Sequence, residues 1–214
     1  MTIVSVKFFN DLAETRVSVN RLPHWQQEGA TYFVTYRLAD SIPKDLMDEW
    51  LAEKAKWVAD HPQPWDEATE GAFHRLFTAR MDALMDKGHG ACVLRDWNLR
   101  TILSESFASF EGVRYVMHSW VAMPNHVHLL FTLAEDVKLE AMVGGWKKFT
   151  ARNINGSLGK NGALWQKDYF DRVIRDWGHF AKVTRYIRAN PKKAELGKGE
   201  FSLWESDDVK RILG

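Results

Sequence analysis

Two apolar segments joined by a three-residue turn constrain the fold of this chain more than any other feature. Residues 113–122 and 126–133 are rich in β-branched and aromatic side chains, a composition typical of strands. The Met-Pro-Asn between them is long enough only for a tight turn, so the two strands must run antiparallel. The sequence therefore predicts a β-hairpin within an antiparallel sheet.

The other periodic segments place this hairpin in a longer pattern. Apolar spacing and capping residues predict a strand at 31–38, a helix at 97–111 capped by Asp96, a helix at 137–154, a strand at 171–175 and a helix from Asp176 to about residue 190, closed by Pro191. With the hairpin, the order is strand, helix, strand, strand, helix, strand. This is the split βαβ, or ferredoxin-like, pattern of an antiparallel sheet with helices on one face. We therefore predict an α+β fold.

Two further predicted helices interrupt this pattern at residues 44–87. We interpret them as a helical insertion after the first strand. The insertion begins in an acidic stretch, since residues 40–70 carry nine acidic and three basic side chains. We expect one domain over residues 1–214, ending in an irregular tail at 198–214 that holds at most a short helix from Asp207.

Charge is distributed unevenly, although the whole chain carries a net charge of only +1. Residues 147–198 contain thirteen basic and four acidic side chains, and a local excess of this size can bind a polyanion. A solvated helix face is the alternative explanation. The candidate phosphate-binding and DNA-binding residues are Lys147, Lys148, Arg152, Lys167, Arg172 and Arg175.

Other features of the composition indicate a cytoplasmic protein. Cys92 is the single cysteine, so no internal disulfide can form, as expected in a reducing compartment. The N-terminal residues lack the apolar core and cleavage site of a signal peptide. No stretch approaches the roughly 18 apolar residues that a membrane span requires. We therefore expect no membrane partner.

His126 and His128 occupy alternate positions of the second hairpin strand, so both side chains point to the same face of the sheet. Two imidazoles so placed can bind one divalent cation. A pair of structural histidines is the alternative, and the tripeptide alone does not decide between them.

Tyr186 and Asn190 lie four residues apart on the last predicted helix and therefore project together. Asn190 offers a carbonyl oxygen ligand, and Tyr186 offers a phenol that can attack phosphorus beside a metal. Histidine and oxygen ligands suit Mg²⁺ or Mn²⁺. The alternative is that Tyr186 packs in the core and Asn190 merely ends the helix.

Three sequence blocks resemble a known family. Residues 123–130 (MPNHVHLL) are similar to the HUH motif, histidine-hydrophobic-histidine, of single-tyrosine transposases. Residues 165–175 (WQKDYFDRVIR) and 186–192 (YIRANPK) resemble later blocks of one branch, the REP-associated tyrosine transposases, and residues 21–25 (RLPHW) resemble its entry motif. The resemblance extends over residues 22–196.

The resemblance implies a ferredoxin-like core, a divalent metal, and single-stranded DNA hairpins as substrates, usually bacterial repetitive extragenic palindromes. It assigns metal ligation to His126, His128 and Asn190. It assigns the nucleophile to Tyr186, which would form a 5′-phosphotyrosine link, free a 3′-hydroxyl and allow resealing. Such enzymes are monomers or homodimers. The insertion at 44–87 is longer than expected of this family.

Several alternatives remain open. Tyr169 is a rival nucleophile in a basic stretch, but it precedes a strand and lacks an asparagine four residues later on a helix. His118, on the strand that pairs with the histidine pair, is either a structural residue or a support for the metal ligands. The chain could also be a domesticated protein that binds DNA hairpins without cutting them, or a metal hydrolase that activates water.

Overall fold

The computed structural model describes residues 6–10, 12–14, 16–19, 23–62 and 65–214. Residues 21 and 22 of the predicted entry motif lie outside them. The strands are β1 (Arg16–Val19), β2 (Pro23–Gln26), β3 (Thr31–Arg37), β4 (Tyr115–Ala122), β5 (His126–Leu133), β6 (Phe170–Val173) and β7 (Ser202–Glu205). The α-helices are α1 (Lys44–Asp60), α2 (Glu67–Phe73), α3 (Ala79–Asp86), α4 (Trp97–Ala108), α5 (Leu139–Leu158), α6 (Trp177–Lys193) and α7 (Asp207–Leu213).

The main sheet is antiparallel throughout and has the strand order β6-β3-β5-β4-β7. Four of its strands, β3, β4, β5 and β6, reproduce the split βαβ order, with α4 and α5 as the connecting helices. The fold class predicted from the sequence is confirmed. Strands β1 and β2 form a separate two-stranded sheet.

The pleat of β5 divides the interior into two cores. Val127, Leu129 and Phe131 face one side, where α4 and α5 pack to form the larger core. The alternate positions, including Leu130, face the other side, which α6 and α7 cover. The two helices of the ferredoxin-like pattern therefore share one face, and the last long helix covers the opposite face.

A bulge at His118 adjusts the register of β4 against β5. Before it, Tyr115 and Met117 face the larger core; after it, Trp120 and Ala122 do so. One extra residue thus switches the alternation and keeps large apolar side chains on the same side along the strand. His118 itself points toward α6, where its Nε2 lies 2.7 Å from Thr132 Oγ1 and its ring contacts Phe180.

The predicted N-terminal caps agree with the structure, whereas the predicted C-terminal ends of two helices do not. Asp96 and Asp176 accept hydrogen bonds from the first turns of α4 and α6, as expected. Helix α5 continues past its predicted end at residue 154 to Leu158, and Gly159, whose φ of 63° suits a glycine C-cap, follows it. Helix α6 continues past Pro191 to Lys193, so the prediction that this proline closes the helix is wrong. Only one hydrogen bond is lost there, and the ring is buried.

The insertion consists of α1, α2 and α3, with a π-helical turn, His74–Thr78, between the last two. It has a small apolar core of its own around Ile42, Leu84 and Met85. Among the described residues, no helix is long and apolar enough to cross a bilayer.

The segment after Gly197 is not an irregular tail. Strand β7 pairs with β4 and extends the sheet, and α7 follows from the cap Ser206. Arg100 of α4, 1% exposed, fixes the entry to β7. Its guanidinium donates to Ser202 Oγ at 2.8 Å, and to the carbonyls of Leu94 at 2.7 Å and Gly199 at 2.6 Å.

We expect Arg100→Ala to lower the free energy of unfolding by about 3 kcal/mol, because it leaves the buried carbonyl of Leu94 and several part-buried acceptors without a donor. Urea denaturation of the full chain measures this change. Arg95→Ala is the control, since this exposed arginine forms only a surface ion pair with Glu200, 3.5 Å long, and should cost less than about 1 kcal/mol. Equal losses in both variants would contradict the role given to Arg100.

Candidate active site

His126 and His128 present their Nε2 atoms to each other across 3.1 Å. Both residues are 1% exposed, and both lie on the α6 side of β5. Two ligands that bind one cation at right angles from about 2.1 Å are about 3.0 Å apart. The pair is therefore spaced as two neighbouring ligands of a single metal ion.

Asn125, in the hairpin turn, fixes the protonation of His126. Its Nδ2 donates to the carbonyl of Met85 at 3.0 Å, which leaves its Oδ1 facing His126 Nδ1 at 2.7 Å. His126 must then carry its proton on Nδ1, so that the lone pair on Nε2 is available to a cation. Thr35 Oγ1 lies 2.7 Å from Nδ1 of His128 and forms a hydrogen bond that orients this ring.

Burial keeps both imidazoles neutral. It lowers the pKa of His126 to about 3, and it lowers the pKa of His128 well below its usual value. The neighbouring charges of Lys193 and Arg37 lower the pKa of His126 further. Neutral imidazole is the form that binds metals.

Asn190 lies beside both histidines, and its side chain is an unsatisfied buried amide. The residue is 1% exposed, and its interaction with the imidazoles opposes the lowering of their pKa values. Neither its Nδ2 nor its Oδ1 makes a well-formed hydrogen bond within the described structure. An unsatisfied buried amide of this kind destabilises the folded state by about 1–3 kcal/mol, so its presence needs a functional explanation. The unsatisfied amide would be explained if Asn190 Oδ1 served as the third ligand of a metal ion.

The donor set fits a hard or borderline divalent cation. Within the described residues, no three His, Cys, Asp or Glu side chains cluster as ligands. A cation here would instead use two imidazole nitrogens and one amide oxygen. The remaining positions would stay open to water or phosphate oxygens, as Mg²⁺ and Mn²⁺ sites commonly require.

Tyr186 stands one helical turn before Asn190 and packs against the same group. Its ring makes edge-to-face contacts with His128, at 5.2 Å between centroids, and with Phe33, at 5.8 Å. Burial and the nearby Asp82 carboxylate raise the pKa of its hydroxyl. The structure thus brings together the four residues that the sequence nominated for catalysis and metal binding.

The rival tyrosine lies on the other side of the sheet. Tyr169 is 9% exposed and belongs to the core formed with α4 and α5, with the Lys147 ammonium over its ring. Tyr115 shares that core and donates its hydroxyl to the carbonyl of Phe107 at 2.8 Å. Neither can reach the paired histidines through a sheet packed on both faces.

The basic candidates for DNA contact are divided by the sheet. Lys148 and Arg152 are exposed on α5, which packs on the face away from the histidines. Lys147, on the same helix, donates to the carbonyls of Gln166 at 2.6 Å and Lys167 at 2.9 Å. Burial lowers its pKa to about 8.

Arg172 lies on the same side of the sheet as the histidines. It pairs in register with Phe33 on the α6 side of the sheet, and its charge acts on Asp82. Lys167 and Arg175 are exposed near the ends of β6. DNA contact by the six basic residues stays a prediction.

Sequence reasoning missed several residues of the site. Arg37 lies opposite His126 in the β3–β5 register, and burial lowers its pKa to about 10. It donates to Ser41 Oγ at 3.0 Å and forms no ion pair within the described residues. Asp82 arrives from the insertion, and Asn125 was interpreted only as part of a turn. The positions of these residues in the sequence do not show that they lie near the histidines.

Part of the chain matches a known protein family. The family model described as IS200-like transposase matches residues 94–190. Comparison with curated proteins gives no match. A solved REP-associated tyrosine transposase bound to a REP hairpin is 16% identical, with 84% of this chain and 77% of that chain covered and a TM-score of 0.48. A candidate transposase from Deinococcus radiodurans is 15% identical, with 80% and 98% covered and a TM-score of 0.32.

The family match confirms the resemblance to single-tyrosine transposases that the sequence motifs indicate. It spans the hairpin, helix α5 and most of α6, and so includes all four residues that converge at the site. Residues 94–190 of this chain, which hold His126, His128, Tyr186 and Asn190, match the model of the IS200-like transposase family.

Proposed function

We propose that this chain is a metal-dependent enzyme that cuts and rejoins single-stranded DNA through a covalent link to Tyr186. The convergence of two neutral imidazoles, an unsatisfied amide and a phenol on one side of β5 carries the proposal. The family match covers the same residues. A protein that only binds DNA hairpins would need none of these groups at one place.

His126, His128 and Asn190 would hold Mg²⁺ or Mn²⁺. A bound cation of this kind polarises a phosphodiester and stabilises the charge that develops on its oxygens. Arg37, opposite His126, presents a second positive charge on the same side of the sheet. Its guanidinium can hold a phosphate oxygen, because its geometry suits that group.

The chemical step proposed for Tyr186 is a transesterification. Its oxygen attacks phosphorus, an O–P bond forms, and the bond between phosphorus and the 3′-oxygen breaks. The products are a 5′-phosphotyrosine and a free 3′-hydroxyl. Attack by a 3′-hydroxyl on this link rejoins the strand without an external energy source, since one phosphodiester replaces another.

The substrate class follows from the sequence blocks. Residues 165–175 and 186–192 resemble those of the REP-associated branch, so we infer single-stranded DNA hairpins of the repetitive extragenic palindrome type as substrates. Such DNA is chromosomal in bacteria, which accords with a cytoplasmic enzyme. The enzyme would act as a monomer or a homodimer.

We expect Tyr186→Phe to abolish the covalent protein–DNA adduct, with a loss of at least about 10³-fold, because only the attacking oxygen is removed. Hairpin affinity should change less than about twofold. Denaturing gels with a labelled palindromic oligonucleotide and Mg²⁺ measure the adduct, and a binding titration measures affinity.

Tyr169→Phe is the matched control, because it removes a buried hydroxyl on the opposite face of the sheet. It should leave adduct formation within about threefold of the unmodified protein. Cleavage without any adduct would favour a hydrolase. Binding without cleavage would favour a hairpin-binding protein.

Asn125→Ala should weaken Mn²⁺ binding about 10–100-fold, because His126 loses the partner that holds its proton on Nδ1. Electron paramagnetic resonance of free Mn²⁺ measures this independently of activity. His118→Gln is the control, since His118 is bonded to Thr132 and not to the histidine pair. Unchanged Mn²⁺ affinity in Asn125→Ala would contradict this role.

A further inference from the structure

Helix α6 carries basic side chains and no acidic ones. Residues 177–193 include no aspartate or glutamate and five basic residues, which are Lys182, Arg185, Arg188, Lys192 and Lys193. Two of the five form ion pairs with neighbouring elements. Arg188 Nε lies 2.7 Å from Glu205 Oε1 of β7, and Lys193 Nζ lies 2.9 Å from Asp86 Oδ2 of α3. These pairs tie the helix to β7 on one flank and to α3 on the other.

The other three bases share the outward face of the helix. Lys182, Arg185 and Lys192 are exposed, and within the part of the chain that the structure describes they form neither an ion pair nor a side-chain hydrogen bond. Gly178 and Ala189 lie on the same face by helical spacing, and both are small and exposed. We call this face, defined by the five residues named here, the α6 strip. It presents unpaired positive charge that no bulky neighbour on the helix covers.

The strip runs past the proposed nucleophile. Lys182 lies one turn before Tyr186 and Asn190 lies one turn after it, so the three side chains follow one row along the helix. Lys182 is therefore about 6 Å from the tyrosine along the helix axis. A DNA strand whose phosphorus meets Tyr186 would lie directly beside these cations.

An exposed tryptophan stands at the first turn of the same helix. Trp177 is 49% exposed, and edge-to-face contacts with Phe8, at 5.1 Å between centroids, and with Phe180, at 5.5 Å, hold its ring. A fixed ring that stays half-exposed offers a surface on which a nucleobase can stack. The axial distance from Tyr186 to Trp177 is about 14 Å, roughly the length of four stacked nucleotides.

A face that serves only solubility explains this arrangement less well. Solubilising helix faces commonly mix both signs of charge, and other exposed helices of this chain do so. On α1, Lys44 pairs with Asp48, and on α7 the two bases pair with the two aspartates of the first turn. An acidic protein would also suit the charge of α6, but only a nucleic-acid strand is brought to this place by a reaction at Tyr186.

We propose that the α6 strip and Trp177 bind the single strand that flanks the phosphate attacked by Tyr186. The cations of the strip contact its phosphates, and one base stacks on Trp177. This inference rests on the function proposed above and names the surface along which that substrate lies. Phosphate contacts and stacking are independent of base sequence, so the strip holds any single strand. None of the six basic residues predicted to contact DNA lies on it.

The first test compares two double variants that each remove two positive charges. Lys182→Gln with Arg185→Gln alters the strip, whereas Lys148→Gln with Arg152→Gln alters the exposed face of α5 across the sheet. All proteins carry Tyr186→Phe, so that no strand is cut. Each is titrated with a blunt palindromic hairpin and with the same hairpin bearing oligothymidylate extensions at both ends, over a range of salt concentrations.

The strip variant should bind the extended hairpin about tenfold or more weakly, because two phosphate contacts are lost. The dependence of log Kd on log salt concentration should become shallower by about 1.4, the sum for two single-strand phosphates. Affinity for the blunt hairpin should stay within about twofold. The α5 variant should change the affinities for both hairpins by the same factor, since its charges do not face the extension.

The second test separates stacking from charge. Trp177→Ala should weaken binding of the thymidine extension about fivefold or more and binding of an abasic extension less than about twofold, because the abasic strand keeps its phosphates but has no base to stack. Trp177→Phe should retain most of the affinity. Trp204→Ala is the control, since this tryptophan of β7 is 40% exposed and pairs in register with Trp120 on the opposite face of the sheet. It should leave both affinities within about twofold.

The outcomes keep this inference apart from the proposed function. Unchanged affinity in the strip variant, or equal weakening of its blunt and extended hairpins, would overturn the strip as a single-strand surface. An unmodified chain that binds both hairpins equally well would do the same. None of these measurements requires cutting. If the strip behaves as expected but the unmodified chain forms no adduct, cutting and rejoining is wrong, and the strip stands as a binding surface.

Discussion

The alternation of side chains along β5 is the constraint on which the rest of the structure depends. This strand is buried on both faces, so its apolar residues fill the core with α4 and α5 while His126 and His128 face α6. A shift of one residue in register would send both histidines into the larger core. The same alternation therefore sets both the packing of the domain and the direction in which His126 and His128 point. The bulge at His118 keeps the side chains of β4 in step with it.

Features that depend on neighbouring residues could be predicted from the sequence. The hairpin, the caps Asp96 and Asp176, and the shared face of the two histidines each follow from spacings of a few positions. Arg37 and His126 are distant in sequence, and only the register of the sheet places them opposite each other. Asp82 likewise acts on the charge of Tyr186 only because the insertion packs beside α6. Strand β7 escaped prediction for the same reason, because its pairing with β4 is long-range.

Charge along the chain is an uncertain guide to charge at the site. The basic region begins on α5, whose Lys148 and Arg152 lie across the sheet from the histidines. Lys147 is engaged by backbone carbonyls and serves to hold the loop before β6. Arg37, outside the basic region, is instead half-buried directly opposite His126. Sheet topology therefore decides which cations can meet a phosphate at the proposed metal.

The acidic insertion raises the question of how a polyanion could approach this side. Ion pairs within the structure weaken the repulsion between the insertion and DNA, because several carboxylates of the insertion already face basic side chains. Arg80 pairs with Glu53 and Glu49, and Lys193 pairs with Asp86. The charges of Lys193 and Arg172 act on Asp82. The acids nearest the site thus have local partners, and the insertion presents to DNA less negative charge than its composition implies. A phosphate that approached His126 from this side would therefore meet the charge of Arg37 as well as these paired carboxylates.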